Sequence, residues 1–91
     1  MFKEEVNRFV YVNNEGQVMA YLKFYALNDN AYDVNSVYAD ISLRGKGIGQ
    51  QLVDLMVNKA SQENMLIRPT CPYVLKLFVT NDKYENIWYK E

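Results

Sequence analysis

The sequence contains no histidine, one cysteine, two prolines and four glycines in 91 residues. Each shortage excludes something. Without histidine no side chain ordinarily titrates near neutral pH, so an obvious general base is missing. One cysteine cannot form an internal disulfide, and the fold does not depend on an oxidising compartment. No apolar run approaches membrane-spanning length, and the opening Met1-Phe2-Lys3-Glu4-Glu5 has no signal-like apolar core. A cytoplasmic location is the expectation. The net charge of −1 gives no reason to expect nucleic acid or a membrane as partner.

What is present argues for a folded globule. Hydrophobic residues make up 49%, with eight tyrosines and four phenylalanines, and the length suits one domain over residues 1–91. The scarce residues are concentrated. Three of the four glycines fall in Tyr38-Ala39-Asp40-Ile41-Ser42-Leu43-Arg44-Gly45-Lys46-Gly47-Ile48-Gly49, and both prolines bracket Thr70-Cys71.

The first of these stretches reads as a strand end, a basic glycine-rich turn and the start of an amphipathic helix. A helix start exposes N–H groups without intrahelical partners and carries partial positive charge. Acidic residues ordinarily offset it, yet none occurs between Ser42 and Val53, while Arg44 and Lys46 add positive charge. Glycines at 45, 47 and 49 would let a phosphate reach the backbone. The bland alternative is a tight turn. The spacing fits neither the P-loop, which ends in Gly-Lys-Ser/Thr, nor the dinucleotide fingerprint with its longer gap before the third glycine.

The remaining pattern predicts strands over Arg8 to Val12, Gln17 to Leu27 and Ala31 to Ala39, forming an antiparallel meander after a frayed or loosely paired Met1 to Asn7. Asn13-Asn14-Glu15-Gly16 and Asn28-Asp29-Asn30 mark the turns. Apolar residues on both faces of the second strand predict a central strand covered on both sides. Ile48, Leu52, Leu55, Met56 and Ala60 recur at helical spacing, with Asn64 suited to a left-handed C-terminal position. Met65 to Arg68 then predicts a short strand parallel to the third, completing a β-α-β crossover. Pro72 suits the first turn of a second helix, Tyr73 to Val79, and the aromatic tail from Lys83 to Tyr89 packs back on the core.

Arg44-Gly45-Lys46-Gly47-Ile48-Gly49 resembles Arg/Gln-x-x-Gly-x-Gly/Ala, the pyrophosphate loop of the GCN5-related N-acetyltransferases. With Asn35 to Asp40, Arg68-Pro69-Thr70-Cys71-Pro72-Tyr73-Val74 and the tail around Tyr84, the chain resembles their short stand-alone subfamily over nearly its whole length. The resemblance implies a minimal α+β acyltransferase fold that binds acetyl-CoA and transfers acetyl to an amine. It implies contacts to the cofactor from Arg44, Gly45, Lys46, Gly47, Ile48 and Gly49, and from backbone around Tyr38 and Ala39. It also implies a catalytic role for Cys71, as a thiolate nucleophile at a helix N-terminus. Tyr38 and Tyr73 are candidate proton donors to the departing thiolate, with packing as the alternative for each. The bland reading of Cys71 is a small buried hydrophobe. In relatives a histidine often precedes the loop; Ser36 stands there in this chain. Asp33 and Asp40 are acidic substitutes, although Asp40 also suits a cap for the loop. A non-catalytic acyl-CoA-binding module is the alternative, favoured by the missing histidine and the short acceptor region.

Overall fold

The computed structural model describes residues 1–90 and forms one five-stranded sheet in the order β1-β2-β3-β4-β5. The strands are β1 (Phe2–Glu4), β2 (Arg8–Val12), β3 (Val18–Asn28), β4 (Ala31–Ala39) and β5 (Leu66–Pro69). The first four run antiparallel to their neighbours, and β5 joins β4 in parallel. That parallel step needs a crossover, which α1 (Ile48–Gln62) supplies. A second helix, α2 (Pro72–Thr80), follows β5, and a 3-10 segment (Asp82–Ile87) leads into the tail.

One expectation needs narrowing and another correction. Of a frayed or loosely paired Met1 to Asn7, the structure shows the paired form: Phe2, Lys3 and Glu4 pair with Tyr11, Val10 and Phe9. Lys59 of α1 reinforces that edge by binding Glu4 and Glu63, both at 2.9 Å. β3 is central, but it is covered on one face only. Ala20, Leu22 and Phe24 are buried, whereas Lys23 and Tyr25 on the other face are exposed. The tyrosines there gave an apolar count without a covering layer, because a tyrosine tolerates water at its hydroxyl end.

The core lies on the covered face. Leu52, Val53, Met56 and Ala60 of α1 are buried against Phe9, Leu22 and Phe24 of the sheet. α2 adds Val74 and Phe78, and the tail closes the cluster with Tyr84 and Ile87. Phe78 and Tyr84 stack with centroids 4.8 Å apart. Trp88 bridges to Ile67, extending the sheet by one contact beyond β5. Asn64 ends α1 with φ 57°, the left-handed conformation its type tolerates.

Candidate active site

The glycine-rich turn is built for close approach. Gly45 and Gly47 have φ of 82° and 78°, where an L side chain is strained, and a Cβ at either would meet nothing within 4 Å. The space they leave faces solvent. Gly47 caps α1 with no side-chain hydrogen bond, and the first turn holds no acid. The first intrahelical bond runs from the Gln51 N–H to the Gly47 carbonyl at 3.0 Å. The N–H groups of Ile48, Gly49 and Gln50 therefore precede the ladder, and the helix dipole adds to Arg44 beside them. Just upstream, Asp40 accepts from the Ser42 N–H and hydroxyl. Those hydrogen bonds, the hydroxyl's first, hold its pKa below 3.8, so Asp40 is a cap and not a base.

Beside this loop, β4 parts from β5. The last register pair is Val34 with Pro69, and the Cys71 N–H adds one bond to the Val34 carbonyl at 2.9 Å. Beyond it, among the described residues, nothing pairs with that side of β4. A bulge falls at the same place: Phe24 faces Val34 but Lys23 faces Ser36, leaving Asn35 as the extra residue. A bulge bends its strand, which suits the parting of β4 from its neighbour. The bulge also resets the alternation. Asp40 donates to Met19 of β3 at 2.7 Å, so Tyr38 turns its backbone groups toward β3. Val37 and Ala39 turn theirs to the open edge, where the Ala39 carbonyl accepts Arg44 Nε at 3.3 Å.

A groove of about 550 Å³ follows this edge. Val37, Tyr38 and Ala39 form one wall, Gly45 to Gly49 without Lys46 form the end, and Tyr73 of α2 faces them. Lys46 is exposed and does not line the groove. Tyr73 is close enough to α1 that a Cβ at Gly49 would lie 3.1 Å from its hydroxyl oxygen. Tyr73 is 42% exposed, yet its partial burial, and then the Asp54 carboxylate, raise its pKa above 10.0. The group keeps its proton at neutral pH.

The structure thus brings together Arg44, the glycines, Ile48, Tyr38, Ala39 and Tyr73. It does not bring Cys71 into the groove lining. Cys71 is 6% exposed and belongs to the core cluster, at the N-terminal cap position of α2. Asp33 is likewise withdrawn, 1% exposed, accepting from Arg68 Nε at 2.6 Å and from the Thr70 hydroxyl. Ser36 lies beside the bulge, opposite Lys23. Sequence reasoning missed Val37, Leu43 and Gln50. Counting back by two from Ala39 would have found Val37. Gln50 donates to Tyr84 at 2.6 Å, tying the start of α1 to the tail, and only the fold reveals that pairing.

Comparison with known proteins fits this geometry. A family model described as GCN5-related N-acetyl-transferase matches residues 8–87. No curated protein matches the sequence. Among solved structures, a GCN5-like protein from Staphylococcus aureus superposes with TM-score 0.83 at 20% identity, covering 100% of this chain and 89% of that one. Ard1 from Thermoplasma volcanium gives 0.64 at 19% identity over 86% of this chain and 53% of its own. Rv2747 from Mycobacterium tuberculosis, solved in complex with CoA, gives 0.59 at 14% identity over 89% and 64%. The chain thus spans much of the small relative but only about half to two thirds of the larger ones. With the family model covering most of its length and the fold in agreement, the chain belongs to the GCN5-related N-acetyltransferase family.

Proposed function

We propose that the protein binds acetyl-CoA in this groove and transfers the acetyl group to an amine. The observation that carries the reading is the unpaired edge of β4 ending at an acid-free helix N-terminus, with a protonated tyrosine across from it. The residues present fit the cofactor. The N–H groups at the start of α1, with Arg44, would hold the pyrophosphate. Val37 and Ala39 would pair with the pantetheine amides as a neighbouring strand does. When bound, acetyl-CoA supplies an electrophilic thioester carbonyl and a thiolate leaving group.

The chain's own residues then have defined tasks. Tyr73 holds a proton at its hydroxyl for the departing sulfur. The open groove lets the proton lost by the acceptor amine reach solvent, since Asp33 is committed to Arg68 and Thr70 and Asp40 to Ser42. Direct attack by the amine fits better than an acetylated Cys71, because that thiol is packed in the core. Incubation with acetyl-CoA and an amine panel, followed by thiol-release assay and mass spectrometry, tests this. The expected result is turnover, with Cys71→Ala active and no adduct at residue 71. An acetyl adduct at Cys71 together with loss of transfer in Cys71→Ala would establish the covalent route instead. The second reading, a non-catalytic acyl-CoA-binding module, is favoured by the absence, among the described residues, of an uncommitted base in the groove lining. It predicts saturable binding without transfer to any amine.

A further inference from the structure

The uncovered face of the sheet has a lopsided charge. The register sets Lys3, Val10, Tyr21 and Tyr38 in one row across β1 to β4, with Val10 buried beneath its neighbours and Tyr38 exposed. The next row holds Arg8, Lys23 and Ser36, and the next Tyr25, Asp33 and Arg68. Four cations (Lys3, Arg8, Lys23 and Arg68) therefore share this face with two carboxylates, Asp33 and the Glu5 that binds Arg8, in a chain whose net charge is −1. Arg68 is paired with Asp33, and Arg8 with Glu5. Among the described residues, Lys3 and Lys23 have no carboxylate partner. Lys23 moreover lies directly opposite Arg8, a like-charge placement that costs stability.

This face meets the groove at Tyr38. Val37 and Tyr38 point to opposite faces of β4 and both line the groove, so the groove wraps the strand edge. Tyr38 stacks on Tyr21 with centroids 5.5 Å apart, and the Lys23 ammonium sits 5.0 Å from the Tyr21 ring. Lys23 pairs across the sheet with Ser36, two residues before Tyr38, which is about 7 Å along the strand.

We propose that this face recognises an anionic group on the acyl acceptor. The acceptor class is an amine carrying a carboxylate or phosphate about 7 Å or more from its nitrogen, with its intervening chain on the Tyr21–Tyr38 pair and its charge at Lys23. The proposal rests on the acetyl-transfer reading for the identity of the amine, but the anion site can be tested without turnover.

The test is a nuclear magnetic resonance titration of the labelled protein, with and without CoA, using ω-aminopentanoate, pentylamine and cadaverine as probes. The same amines are run in the thiol-release assay. The amides of Lys23, Ser36 and Tyr38 should shift saturably with ω-aminopentanoate and much less with the other two. Lys23→Glu should weaken that binding at least about fivefold while leaving CoA affinity unchanged. Equal shifts from all three amines, or unaltered binding by Lys23→Glu, would overturn the proposal. Selective shifts without acetylation would keep the anion site and count against the transferase reading. Acetylation with no preference for the anionic amine would do the reverse.

Discussion

Tyr73 is the proposed proton donor, a half-exposed tyrosine that keeps its proton at neutral pH. Its hydroxyl borders the groove, and its pKa is raised by burial first and by Asp54 second. A tyrosine with a raised pKa donates a proton only below that value, so activity that depends on it should persist through neutral pH and fall above 10.0. Tyr73→Phe should lower kcat about a hundredfold with little change in acetyl-CoA affinity, and should remove that alkaline limb. Stopped-time assays across pH would check both; an unchanged kcat would take Tyr73 out of the chemistry. Gly49→Ala probes the same hydroxyl from the other side. The added methyl would lie 3.1 Å from it, while alanine improves helix propensity by up to about 1 kcal/mol. The expected outcome is equal or higher melting temperature with reduced turnover, and a parallel loss of both would point to simple misfolding. Residue-level reading of the sequence found Tyr73 and the glycines because their motif is local. It missed Val37, two residues before Ala39 on the same open edge, because only the fold shows that β4 has parted from β5 by that point.

At the scale of elements, the groove exists because β4 and β5 pair and then separate. Asp33 stands one residue before the last pair and holds both sides, through Arg68 on β5 and Thr70 just beyond it. One of its oxygens is buried without a hydrogen-bond partner among the described residues. Such a group is worth keeping only where the geometry it fixes matters. Asp33→Ala should cost about 2–4 kcal/mol in denaturant unfolding and should weaken CoA binding by loosening the parting point. Stability within 1 kcal/mol of the parent would show that the strands separate there without its help. Strand types and the crossover were legible from alternation, glycine and proline. The pairing of Phe2–Glu4 was not, since so short a segment gains its order from Lys59 and from β2 rather than from its own pattern. Nor was the bare second face of β3, because tyrosines count as apolar in a pattern and still sit comfortably in water.

At the scale of the molecule, a family fold is present with little beyond the donor side. The groove lining comes from β4, the loop, α1 and Tyr73 of α2, and the opposite sheet face carries an excess of positive charge. The central claim is that the loop and strand edge hold a CoA thioester. Calorimetric titration with acetyl-CoA, repeated on Arg44→Glu, tests it most directly. The account predicts saturable one-site binding by the parent and an affinity at least about tenfold weaker in the variant, because a repulsive charge replaces one that faces the pyrophosphate. No binding at millimolar acetyl-CoA, or equal affinity in Arg44→Glu, would contradict it.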